Sequence, residues 1–551
     1  MKVPEGFFLG AMGELSELAG ELARRVVLEH GRARRMLKPV AEGYAKVEVS
    51  RGLREECARV LEELDARLRG GGGRSAVPVF APGYFAHMQA DCIWVAALAK
   101  LAADLWNQNN VSYESSPTTT ALEQEVIATL AKALVGWSPE QCTGHLASCG
   151  SVANLEALWL AREKAAAATL AGKEGEWGRA FKELWSLVGG QGFKPGGWSS
   201  PAGGLVLASE DAHYSIEKAA RILGLKLQRV EVDERRRMST QKLKEALKAA
   251  LEAGERPVCV VATLGTTGFC SFDPLHEVVE LRSRLYQEAG CWFHIHADAA
   301  WGGPLALLAG SSILEADVEA ALKAMAQADS ITIDPHKLLY VPYPAAAVLY
   351  RDRRDPLLIS TYTPYLFHSE LHQKSLGAST VEGSRPGSVA AAVWAALRLM
   401  TSSREPLSKL PRGMLLDRYK PLLAHGLRNA RRLYQMLKAL SQQQPIKLVP
   451  DTPPQGNIVS FQLSLPSKDL AEVNLALYRL VNRSLLSPEQ GVFLVSFNER
   501  LAAIRLVLAN PYATERTLRA FTRMLESKIQ ELLAGLQRQA TCSSMEAGAY
   551  S

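Results

Sequence analysis

The chain has 551 residues, 47% of them hydrophobic and 22% charged. This composition excludes long-range disorder, and the length exceeds what one hydrophobic core organises, so two or three domains are expected. The 63 basic and 57 acidic residues leave a net charge of +6 spread along the chain, which argues against a nucleic-acid-binding surface.

At the N-terminus the basic start and apolar run of a signal peptide are missing. Residues 11–69 carry apolar positions at helical spacing, including Leu15, Leu18, Leu22, Val60, Leu61 and Leu64. The run Gly70-Gly71-Gly72-Gly73 then breaks the pattern. The apolar stretch 92–105 is short and contains Lys100 and Asp104, so it predicts a core helix and not a membrane span. Residues 1–116 read as a helical N-terminal segment.

From 117 to 385 strand and helix alternate, the pattern of an α/β domain with a mostly parallel central sheet. Strands are expected at 205–209, 227–232, 258–263, 291–296, 331–333 and 345–350, and helices after Pro117, after Gly150-Ser151, and at 240–253 and 274–289. The second half of 165–203, rich in glycine and proline, predicts an exposed insertion. A smaller α+β domain is expected over 386–536, with helices at 414–440, 468–484 and 514–535. Residues 537–551, small and polar, predict a frayed tail. The eight cysteines form no CxxC pair and no paired histidine spacing. They fit reduced thiols in a cytoplasmic protein, with no metal site.

Five groups stand at expected strand ends or helix starts. Gly144-His145-Leu146-Ala147-Ser148-Cys149-Gly150-Ser151-Val152-Ala153-Asn154 leads from a loop into a helix, whose first amides with Ser148 and Ser151 suit a phosphate monoester. Such a turn is also an ordinary helix cap. His213 follows a strand and is placed to stack on an aromatic ring. Thr263-Leu264-Gly265-Thr266-Thr267-Gly268 adds hydroxyls. Asp298 ends one apolar strand, and Asp334-Pro335-His336-Lys337 follows the next. Open α/β sheets bind ligands at this edge. An acid and a lysine so placed are what pyridoxal 5'-phosphate requires. The lysine holds the aldehyde as a Schiff base, and the carboxylate keeps the pyridine nitrogen protonated.

From about residue 78 to 532 the chain resembles the group II amino-acid decarboxylases, pyridoxal phosphate enzymes of fold type I. The resemblance rests on Cys149-Gly150-Ser151-Val152-Ala153-Asn154-Leu155, Asp211-Ala212-His213, His296-Ala297-Asp298-Ala299-Ala300-Trp301-Gly302-Gly303 and Asp334-Pro335-His336-Lys337. Four further stretches are similar to the bacterial tyrosine decarboxylase branch: Gly83-Tyr84-Phe85-Ala86-His87-Met88, Tyr113-Glu114-Ser115-Ser116-Pro117-Thr118, Tyr340-Val341-Pro342-Tyr343-Pro344 and Glu382-Gly383-Ser384-Arg385-Pro386-Gly387. The resemblance implies that Lys337, Asp298 and His213 act on the cofactor, with Gly150, Ser151, Thr266, Ala300 and His336 around it. It implies that His87, Gln89, Tyr343 and Arg505 meet the substrate, and that a loop tyrosine, Tyr365 in preference to Tyr362, donates a proton. It also implies a homodimer.

Cys149, Trp301 and Leu338 depart from the residues common in the family, without removing a group the chemistry needs. The expected activity is decarboxylation of an L-amino acid to its amine, the substrate being tyrosine-like. The alternatives are an acidic amino acid, an aldehyde synthase or aminotransferase reaction, and a protein that keeps the fold without the activity.

Overall fold

Seven strands build the central sheet: β1 (Thr143–Ala147), β2 (Leu205–Ser209), β3 (Lys226–Val230), β4 (Pro257–Thr263), β5 (His294–Asp298), β6 (Ser330–Ile333) and β7 (Ala346–Tyr350). Their order is β1-β7-β6-β5-β4-β2-β3. Only β7 runs against its neighbours; the other six point the same way. The computed structural model describes residues 7–8, 13–36, 51–69, 76–170, 203–361, 375–466, 468–482 and 493–548.

The central strands β2, β4, β5 and β6 are buried at every position because both faces are covered. Leu205, Leu207, Val260, Ala262, Ile295 and Ala297 enter the large core on one face. Their alternates Val206, Ala208, Cys259 and Val261 meet Leu158, Ala161 and Ala165 of the helix Gly150–Leu170 on the other. That period of two sends successive side chains to opposite faces. Every crossover then delivers its loop to one edge of the sheet, where β1, β2, β4, β5 and β6 end.

A second sheet, β10-β11-β9-β8, is antiparallel throughout. It consists of β8 (Ile446–Leu448), β9 (Ile458–Leu463), β10 (Ser496–Asn498) and β11 (Ala503–Val507). Its core includes Phe461, Ile504, Leu518 and Phe521.

The architecture is the α/β class expected, with three local differences. Residues 143–147, expected as a loop, form β1. Gly144 permits this, because a Cβ there would strike the backbone oxygen of Val348 on β7. The smaller unit was expected to begin at 386, yet the helix Gly387–Leu399 buries Val389, Val393 and Leu397 in the large core. The division falls inside the helix Tyr419–Leu440, whose Leu422 and Leu427 join the large core while Leu433 and Leu437 join the small one. Lastly, the C-terminal helix Glu515–Gly548 continues past 537, where a frayed tail was expected. The insertion expected within 165–203 lies mostly outside the described residues, after the helix ending at Leu170.

Candidate active site

Six segments converge on a cavity of about 140 Å³ at the common strand edge. β1 leads through Ser148 and Cys149 into the helix that begins at Gly150. The first amides of that helix have no partner within it. Gly150 is required by packing: a Cβ there would lie 2.8 and 2.9 Å from the two carboxylate oxygens of Asp334. We expect Gly150→Ala to lower stability by about 1–3 kcal/mol in urea unfolding, since the short Asp334 side chain can move only by giving up its partner.

That partner is Lys337. Its Nζ lies 2.9 Å from Asp334 Oδ2, with the Asp334 side chain only 2% exposed. His336 Nε2 stands 3.5 Å from the same oxygen. Asp334 Oδ1 is buried without a hydrogen-bond partner. Burial favours the neutral lysine, but the Asp334 and Asp298 carboxylates and the hydrogen bond to Asp334 outweigh it and hold the amine above its usual range. His336 accepts the Ala345 N–H on Nδ1 at 3.1 Å, and its ring lies 4.2 Å from that of Tyr343. Burial lowers the His336 pKa, opposed by Asp334.

Asp298, at the tip of β5, accepts from Asn154 Nδ2 at 3.0 Å and from the Ala300 N–H at 3.3 Å. Asn154 also donates to Ser215 Oγ at 2.9 Å, and Ser215 Oγ lies 2.8 Å from His213 Nδ1. His213 is the N-cap of the helix Tyr214–Ile222, which fixes its ring over the loop. Desolvation by burial lowers its pKa, with Asp298 acting the other way.

The cavity therefore brings together Gly150, Ser151, His213, Asp298, Ala300, His336 and Lys337. From the threonine turn it takes Thr267. Thr266 is fully buried, and its hydroxyl accepts the Ser271 N–H at 3.1 Å. Tyr362 and Tyr365 lie outside the described residues.

Arg505, on β11, stands behind the threonine turn and not on the cavity wall. It donates through Nε to Ser496 Oγ at 2.8 Å, through Nη1 to the Thr267 carbonyl at 2.6 Å and through Nη2 to the Ala86 carbonyl at 3.2 Å. Burial pulls its pKa down to about 10, with the Tyr84 phenol acting in the opposite direction. Gln89 donates to Tyr84 Oη at 3.0 Å, and Tyr343 is 53% exposed beside the opening. His87 lies between Ala86 and the cavity-lining Met88.

Sequence reading missed three partners. Asn154 is one helical turn beyond Gly150 and so shares its face, but its contact with Asp298, 144 residues away, leaves no local signal. Ser215 stands two residues after the capping His213. Asp334 is the residue whose pairing with Lys337 only the turn geometry reveals.

The donor set fits pyridoxal phosphate: a buried primary amine, a carboxylate one strand away, an aromatic-stacking imidazole, and a helix N-terminus with no room for a side chain at its first residue. Comparison with known proteins agrees. The pyridoxal-dependent decarboxylase conserved domain matches residues 202–403. L-tyrosine decarboxylase of Levilactobacillus brevis is 31% identical over 533 residues, covering 85% of this chain and 81% of that protein. The L-tyrosine decarboxylase of Enterococcus faecium is 29% identical over 540 residues, covering 87% and 84%. Among solved structures, mouse CSAD shares the fold at a TM-score of 0.65 and 23% identity, covering 94% of this chain and 99% of that one. Oryza sativa TDC with PLP and tryptamine does so at 0.66 and 16%, covering 95% and 99%.

The chain belongs to the pyridoxal-dependent decarboxylase family. It is a pyridoxal phosphate-dependent amino-acid decarboxylase.

Proposed function

We propose that the substrate is an aromatic, tyrosine-like L-amino acid. The observation that carries this is similarity to L-tyrosine decarboxylases along most of both chains. Lys337 would hold the cofactor covalently through its amine, and Asp298 would hold the ring nitrogen. Ser151 and the Gly150 amide would hold the phosphate, with His336, Ala300 and the threonine turn near the ring. Bound there, pyridoxal phosphate accepts the electron pair left when the bond from Cα to the carboxylate breaks.

The remaining work belongs to side chains. His213 packs on the ring and, with Tyr365, is a candidate to deliver the proton that replaces the carboxylate at Cα. His87, Gln89 and Tyr343 face the substrate side chain, and Arg505, set behind the threonine turn, meets a substrate carboxylate only through the N–H groups that Ser496, Thr267 and Ala86 leave unused.

A second reading, an acidic substrate, is favoured by one observation. The Arg505 charge has no carboxylate within 4 Å among the described residues, and similarity to the aspartate 1-decarboxylase of Aliivibrio fischeri, 32% over 327 residues, points the same way.

The protein works as a homodimer in the cytoplasm. The helix Arg51–Leu68 supports the dimer, since it leaves Val60, Leu61, Leu64 and Leu68 along one flank at least half exposed. The free state of every described cysteine supports a reducing compartment. No described helix is long and apolar enough to cross a membrane.

The deciding experiment is CO2 release from a panel of L-amino acids by purified protein with pyridoxal phosphate. L-tyrosine is expected to exceed L-aspartate and L-glutamate in kcat/KM by at least about 100-fold, because unmatched polar groups reject the wrong side chain. The reverse order would establish the acidic reading, and no release from any amino acid would overturn both.

A further inference from the structure

Behind the carboxylate of Asp298 lies a buried chain of hydrogen bonds whose direction can be worked out. Asn154, 1% exposed, is its branch point. An ionised carboxylate only accepts, so the contact at 3.0 Å fixes Nδ2 of Asn154 on the Asp298 side and leaves Oδ1 as an acceptor. His296 Nε2, 3.0 Å from that Oδ1, must therefore carry a proton. Its Nδ1 is then an acceptor and takes the hydroxyl proton of Ser330 at 2.8 Å. Ser330 Oγ in turn accepts from His294 Nε2 at 2.7 Å.

The other arm runs toward the cavity. The second proton of Asn154 Nδ2 goes to Ser215 Oγ at 2.9 Å, which frees the Ser215 hydroxyl proton for His213 Nδ1. The Ser215 backbone N–H, which can only donate, points at the same nitrogen at 3.3 Å. In a neutral imidazole whose Nδ1 accepts, the proton sits on Nε2, on the ring edge away from Ser215. His213 lines the cavity, so an N–H donor is what it offers there.

We propose that Asn154 is a positioning residue whose one amide group sets two catalytic groups together: its two Nδ2 protons hold the Asp298 carboxylate at the tip of β5 and the Ser215 hydroxyl beside His213. This rests on the proposed roles of Asp298 and His213. The charged and titratable groups around Asp298 are Lys337 from the turn after β6, His213 from the helix cap and His296 from its own strand. None of them supplies the neutral, two-directional donor that Asn154 does.

The test measures equilibrium affinity for pyridoxal phosphate on the full-length protein. Asn154→Ala should bind about tenfold more weakly, because the Asp298 carboxylate loses the donor that orients it. Asn154→Ser, which retains one donor, should recover part of the loss. Ser215→Ala should stay close to the wild-type affinity, because the backbone N–H still faces His213 Nδ1.

Should the Asn154 variants fail to fold, histidine ¹⁵N shifts of the wild-type holoenzyme decide, with the His213 signals identified by their loss in His213→Gln. Protonated Nε2 is expected, and protonated Nδ1 would overturn the proposal. Asp298→Asn, measured alongside, separates the two levels. Unchanged cofactor affinity in that variant would refute the underlying assignment. Weakened affinity there with wild-type affinity in Asn154→Ala would refute the role of Asn154 alone.

Discussion

Lys337→Ala is expected to lower CO2 release by at least about 10³-fold, because it removes the one side-chain amine that lines the cavity among the described residues. Lys337 lies in the cavity, 2.9 Å from a carboxylate that is 2% exposed. Such a site is costly for a cation unless it is paired, and the pair keeps the side chain aimed inward. Borohydride reduction should fix the cofactor to the wild-type chain, adding its mass to the peptide that contains Lys337, and should add nothing to the variant.

The alanine variant also strands Asp334, whose Oδ1 already lacks a partner. Some loss of stability is therefore expected, and His336 Nε2, at 3.5 Å, is the group left to compensate. Lys337→Met, which keeps most of the side-chain length, separates lost chemistry from lost packing. If either folded variant released CO2 within about tenfold of the wild type, covalent attachment at Lys337 would not be part of the reaction.

Why Lys337 and Asp298 could be found in the sequence, and Asn154 could not, follows from the kind of signal each leaves. β5 and β6 are short β-prone runs, buried at every position, and Asp298 and the Asp334-Pro335-His336-Lys337 turn that end them stand at the strand edge where ligands bind. Asn154 sits inside a helix among small apolar residues. Its meaning depends on the helix passing beneath the tip of β5, a long-range fact that periodicity does not carry. β1 was hidden for a related reason. Gly144 reads locally as a turn, whereas its use here is close backbone approach to β7. The division between the two cores was equally invisible, because Tyr419–Leu440 is one uninterrupted amphipathic helix whose two halves serve different cores.

Arg505→Met is expected to lower kcat/KM by about 100-fold or more, and the substrates it affects reveal what this residue holds. A guanidinium has five N–H donors. Three are used, by Ser496 Oγ and the carbonyls of Thr267 and Ala86, which leaves one on each terminal nitrogen among the described contacts. One donor on each of Nη1 and Nη2 can meet the two oxygens of a carboxylate, and two charge-assisted hydrogen bonds at about 1.5–3 kcal/mol each account for a loss of that size. Burial draws the Arg505 pKa down to about 10, and a carboxylate partner would oppose that shift. Arg505→Lys should restore little, since an ammonium keeps the charge but not the fork. If the variant loses activity on L-tyrosine, Arg505 holds the carboxylate that every amino acid shares. If it spares L-tyrosine and abolishes turnover of L-aspartate or L-glutamate, Arg505 reads a second, distal carboxylate, and the acidic substrate is the better reading. Wild-type kinetics on all three would place the guanidinium in a purely structural role, tying β11 to the threonine turn and to the segment that carries His87.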